Sequence, residues 1–106
     1  MAKPKAQPSK APSDPFEALC EAFVALRNKA EARNFLIDLT TPSERRALAE
    51  RWHIAQLIDD GQLSYREISE AIGVSTATIV RVARFLREEP FGGYRTVLDR
   101  QARKRS

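Results

Sequence analysis

Residues 64–89 read SYREISEAIGVSTATIVRVARFLREE, and the punctuation in this stretch decides the fold. Ser64 with Glu67 three residues later is a capping box: the hydroxyl and the carboxylate satisfy the first free N–H groups of a helix reciprocally. Ile68 and Ile72, four apart, share one face of that helix. Gly73 accepts the left-handed backbone that ends a helix. Val74 fills the turn, and Ser75 caps a second helix that turns Ile79, Val82 and Leu86 inward. The spacing predicts a first helix over Tyr65–Ile72 and a second from Thr76 to about Arg87. A connection this short forces the two to cross steeply. Ile68, Ile72, Val74 and Ile79 can then form an apolar knot that fixes the crossing, while Thr76, Ala77, Val80, Arg81 and Arg84 face away from it.

That outward set suits duplex DNA. A steep crossing lets the second helix enter a major groove while the first lies across the backbone. The small residues Ser75, Thr76 and Ala77, together with Val80, allow close approach to base edges, and their hydroxyls and methyls can meet bases or a thymine methyl. Arg66, Thr78 and Arg84, with Tyr65 beside them, suit phosphates, and Arg81 lies between the groove and the core. The expectation is a helix-turn-helix DNA-binding regulator of transcription. Two alternatives stay open on these residues: a nucleoid or replication-associated protein indifferent to sequence, and a helical protein-interaction module that has lost DNA binding.

Upstream, the same helical grammar continues. Asp14-Pro15-Phe16-Glu17 starts a helix, with the cap, proline and acid in their favoured places. Phe16, Leu19, Cys20, Phe23, Val24 and Leu26 recur at helical spacing and are expected to be buried. A second short helix is predicted over Ala30–Asp38. Thr41-Pro42-Ser43-Glu44 opens a long helix with Leu48, Trp52, Ala55 and Ile58 on a broad apolar face, and Asp59-Asp60-Gly61 stops it. Downstream, a last helix is predicted over Tyr94–Ala102. No stretch alternates as a strand does, so the fold class is all-α, with about six helices. The expected organisation is a disordered basic tail at 1–13, N-terminal dimerisation helices at 14–40, a DNA-binding core at 41–102 and a basic tail at 103–106.

Composition narrows the function classes. The net charge is +4 over 106 residues, but it sits at the ends. Lys3, Lys5 and Lys10 face no acid, and Arg95, Arg100, Arg103, Lys104 and Arg105 face only Asp99, so the residues between are net acidic. The signal with meaning for nucleic acid is local: residues 75–87 contain Arg81, Arg84 and Arg87 and no acid. No apolar run approaches the ~18 residues that a bilayer requires, so no membrane partner is expected and a cytoplasmic, nucleoid-associated location is. Cys20 and His53, single and on different helices, lack the further ligands a metal site needs. Cys20 reads as core filler and His53 as a helix residue at the solvent edge. Asp59-Asp60 and Glu88-Glu89 are adjacent acids that point about 100° apart on a helix, which suits solvation rather than acid–base catalysis. Gly92-Gly93 lacks the pattern of a phosphate-binding loop. No enzyme is expected.

From about Leu39 to Leu86 the chain resembles the Trp repressor superfamily, and most closely its branch of YerC/YecD-like Trp-repressor-related proteins. The resemblance rests on Thr41-Pro42-Ser43-Glu44-Arg45, Arg51, the Asp60-Gly61 break, Ser64-Tyr65-Arg66-Glu67, and STATIVRV followed by Gly92-Gly93-Tyr94. It implies an intertwined homodimer of six-helix protomers reading a pseudo-palindromic operator. It also implies an amino-acid corepressor, tryptophan, with its indole between Arg51 and Arg81 and its carboxylate held by Thr41. Val82 and Phe85 stand where the founding type carries a glycine and a serine. Their bulk leads us to expect no cofactor, with Phe85 or Val82 filling the pocket and holding a DNA-ready geometry without ligand.

Overall fold

The computed structural model describes residues 14–105, so the tail expected at 1–13 lies outside the described residues. Six helices make up the described chain: α1 (Pro15–Ala25), α2 (Lys29–Leu39), α3 (Pro42–Asp60), α4 (Tyr65–Ile72), α5 (Thr76–Arg87) and α6 (Gly93–Arg105). No strand occurs among the described residues. None of these helices is long and apolar enough to cross a membrane. The chain divides into two compact units, one ending at Thr41 and one beginning at Pro42.

In the N-terminal unit, the Phe16 N–H donates to Asp14 Oδ1 at 2.9 Å, which caps α1 as its sequence predicts. α2 begins one residue earlier than expected because Asn28 caps it, with the Glu31 N–H donating to Asn28 Oδ1 at 2.9 Å. Phe23 and Phe35 meet edge to face, with ring centroids 5.5 Å apart. The expectation that the α1 stripe is buried fails within one chain. Neither helix contains a buried residue, Phe16 and Val24 are 66% and 85% exposed, and Cys20 is exposed rather than core filler. Periodicity locates an apolar face but does not say what covers it.

The second unit is built around α5, which packs on α3, α4 and α6. Its core comprises Ile54, Ala55 and Ile58 of α3, Ile68 of α4, Ile79, Val82, Ala83 and Leu86 of α5, and Leu98 of α6. Ile72, Val74 and Trp52 pack against it, half-buried. α6 runs on to Arg105, so residues 103–105 are helical and not the tail their charge suggests. Lysine and arginine are good helix formers, and cations are favoured at a helix C-terminus.

A polar clasp fastens α6 to the end of α3. Asp59 and Asp60 fall in the last turn of α3, where the helix dipole disfavours acids. The Arg95 guanidinium answers this, with Nη1 2.8 Å from Asp59 Oδ1 and Nη2 2.8 Å from Asp99 Oδ1. Arg87 adds a long bond to the Ile58 carbonyl, 3.5 Å. Asp59 is thus an ion-pair partner rather than simply solvated. Its hydrogen bond to Arg95 holds its carboxyl below the ordinary value of 3.8. A carboxyl depressed in the folded state contributes stability above its unfolded pKa and loses it as pH falls through the folded value. Asp59→Asn should therefore lower the melting temperature modestly at pH 7, since the pair is half exposed. The gap to the unaltered protein should close on acidification below pH 3.8. Thermal melts at pH 7 and in strong acid check this, and a gap constant across that range would remove Arg95–Asp59 as its cause.

Candidate nucleic-acid interface

The local chemistry at the α4–α5 connection is what the sequence predicts. The Glu67 N–H donates to Ser64 Oγ at 3.1 Å and the Ser64 N–H to Glu67 Oε1 at 2.8 Å, closing the capping box. Gly73 ends α4 with φ +84°, a conformation that side chains with a Cβ rarely adopt. The Ser69 hydroxyl donates to the Val74 carbonyl at 2.6 Å and ties the turn back to α4. Ser75 then accepts from the Thr78 N–H at 3.2 Å and starts α5.

α5 divides cleanly into two faces. Ile79, Val82, Ala83 and Leu86 are buried, whereas Thr76, Ala77, Val80, Arg81, Arg84 and Arg87 are exposed. The exposed set recurs every three to four residues and so forms one stripe. Val80 is 55% exposed in the middle of it, an apolar residue presented outward between the small first turn and the arginines. Ser75 and Thr78 are held close, their hydroxyl oxygens 3.1 Å apart, and Thr78 is half-buried. On α4, Arg66 is almost fully exposed and loosely paired with Glu70 at 3.8 Å. Tyr65 is exposed at the start of the same helix.

The arginines of α5 are not free-swinging. The guanidinium carbon of Arg81 lies 4.5 Å from the Phe85 ring centroid and that of Arg84 lies 5.1 Å from it. Arg84 also pairs with Glu89 at 3.5 Å, and Phe91 stacks on Phe85 with centroids 6.5 Å apart and planes 14° from parallel. Beside this cluster opens an apolar cleft of about 590 Å³ between α3, α5 and α6. Arg51, Arg81, Val82 and Phe85 all line it, with Trp52 and Tyr94, whose rings stack at 6.4 Å. Thr41 belongs to the N-terminal unit. Neither bulky residue fills the space as expected. Val82 is 1% exposed because it is turned into the core, and Phe85 forms a wall under the arginines. Sequence reasoning misses Trp52, Phe91 and Tyr94 as pocket residues, although Gly92-Gly93-Tyr94 marks the turn that brings the last two there. Among the described residues, no cluster of three or more His, Cys, Asp or Glu is arranged to hold a metal ion.

The sequence pattern of the family described as Trp repressor protein matches residues 14–102. The Trp operon repressor homolog of Chlamydia trachomatis serovar D is 42% identical over 65 residues, covering 58% of this chain and 69% of its own. The uncharacterised protein YerC of Bacillus subtilis is 35% identical over 71 residues, 67% of each chain. In structure, the chain resembles a Staphylococcus aureus protein assigned to the Trp repressors, with TM-score 0.76 and 34% identity over 92% of this chain and 96% of the other.

Proposed function

The chain belongs to the Trp repressor family, a family of DNA-binding regulators and not of enzymes, and on that premise we propose that it is a sequence-specific, homodimeric repressor of transcription. It works in the cytoplasm, on duplex DNA, at a pseudo-palindromic operator. The observation that carries this reading is the outward stripe of α5, small at its N-terminus and cationic further along, on a helix whose other face is locked into the core. Thr76, Ala77 and Val80 face the bases, with Ser75 at the helix start. Arg66 and Arg84 meet phosphates, with Thr78 near the backbone and Arg81 at the groove edge. The dimer reading is supported by α1 and α2, which carry Phe16, Phe23, Val24, Ile37 and Leu39 exposed and have no buried residue of their own. A second copy of the chain covers such a surface, and a small chain of this kind gains stability from it. The expectation of binding without a cofactor is part of what selection from a duplex library tests, since the cleft lined by Arg51 and Arg81 is open.

Selection of bound sequences from a random duplex library at ~0.15 M salt, without added ligand, tests the whole reading. The expected result is a two-fold-symmetric consensus with half-sites about one helical turn apart. Uniform binding to all duplexes would instead make the protein indifferent to sequence. Capture of no duplex, with or without tryptophan, would leave a protein-interaction module.

A further inference from the structure

We infer that Phe85 is a positioning residue for DNA binding: its ring is a built-in platform that orders the guanidinium groups of Arg81 and Arg84 before any DNA arrives. The inference rests on the reading of α5 as the DNA-contacting helix. Arg81 and Phe85 are four residues apart and therefore neighbours on one face of α5. Both guanidinium carbons, at 4.5 and 5.1 Å from the ring centroid, lie within the ~6 Å over which the negative face of an aromatic ring attracts a cation. The ring is itself held, since Phe91 stacks on it from the turn after α5 and Phe85 is half-buried against the cleft. Glu89 fixes Arg84 from a second direction at 3.5 Å. The two planar groups are thus presented on the exposed stripe with part of their rotamer freedom already gone. An arginine that must be ordered at a phosphate loses that freedom on binding, at a cost of roughly 0.5–1.5 kcal/mol per side chain, about 2- to 13-fold in affinity. An arginine resting on Phe85 avoids part of this loss.

A platform and a direct phosphate ligand leave different signatures. Phe85→Leu keeps apolar bulk but removes the aromatic face, so the arginines still reach phosphate but arrive disordered. Its affinity for a duplex recovered in the selection should fall about tenfold, because two side chains must now be ordered. The dependence of affinity on salt and the melting temperature should stay unchanged. Arg84→Ala, by contrast, should flatten the salt dependence, by about one unit of the log–log slope for each phosphate no longer neutralised. Phe85→Trp, which restores a larger π face, should recover most of the affinity. The inference is overturned if Phe85→Leu binds as tightly as the unaltered protein, if Phe85→Trp is weakened equally, or if the loss is matched by a lower melting temperature. Should the unaltered protein bind no duplex at all, the DNA-binding reading fails first and this inference falls with it.

Discussion

Ala77→Glu is expected to weaken binding to a selected duplex by at least about 100-fold, or about 2.7 kcal/mol, while the variant melts no lower than the unaltered protein. The two effects have opposite signs for a definite reason. Ala77 is the second residue of α5, exposed, in a first turn that contains no acid. A carboxylate there meets the positive end of the helix dipole and the free N–H groups, which typically contributes ~0.3–1 kcal/mol of stability. Toward DNA the same carboxylate opposes the phosphates. It also extends well beyond Cβ where only a methyl lets the helix approach base edges. Thr76→Glu should behave alike, as Thr76 is the first residue of the same turn. Fluorescence anisotropy with a labelled duplex and a thermal melt by circular dichroism measure the two effects separately. Retained binding in both variants would mean that the first turn of α5 does not face DNA. Lost binding together with a lowered melt would return the residue to a structural role.

Local chemistry makes the recognition unit legible in the sequence. Ser64 with Glu67, Gly73, and Ser75 each act within four residues of themselves, so their spacing alone reports the helix ends they make. The buried set Ile68, Ile79, Val82 and Leu86 follows from period alone. Burial by other elements is not legible. The α1 stripe from Phe16 to Val24 has the spacing of a core face, but spacing is silent on what covers it, and within one chain those two side chains stay exposed. Arg95 reaches Asp59 across 36 residues of sequence, and no pattern connects them. The charge of Arg103 and Lys104 suggests a tail, although both are good helix formers at the favourable end of a helix.

The candidate site divides in the same way. Thr76, Ala77, Val80, Arg81 and Arg84 fall on one exposed stripe because helical geometry alone assigns faces once the buried residues are known. The role of Phe85 needs the fold. In sequence it stands where a bulky residue would plug a cavity. In the structure the ring leaves that cavity open and has two guanidinium carbons 4.5 and 5.1 Å from its centroid. The i, i+4 spacing of Arg81 and Phe85 is the signal the sequence offers. Phe91, which backs the ring, comes from beyond the end of α5, where the turn at Gly92 with φ +69° redirects the chain.

The largest stability effect should come from the residue next to the exposed Val80 of α5. Ile79 is fully buried and Val80 is 55% exposed, though they are sequence neighbours on that helix. Ile79→Ala truncates a side chain in a core where Ile54, Ile68 and Val82 are also almost completely enclosed. Such truncations cost ~2–5 kcal/mol, partly as lost transfer energy and partly as the cavity left behind. In a domain of this size that should lower the melting temperature on the order of 10 °C or more. Well below the new melting point, however, the DNA-facing stripe is still presented, and affinity should change by less than about threefold, under ~0.7 kcal/mol. Val80→Ala should do the reverse. It removes surface atoms and should leave stability within about 0.5 kcal/mol, while the duplex is deprived of an apolar neighbour and affinity falls severalfold. A pair of neighbours that exchanges stability for binding in this way requires the boundary between core and groove to pass between them. If Val80→Ala unfolded the protein and Ile79→Ala abolished binding without lowering the melt, the faces of α5 would be inverted, and the assignment of Thr76, Ala77 and Arg84 would be lost with them.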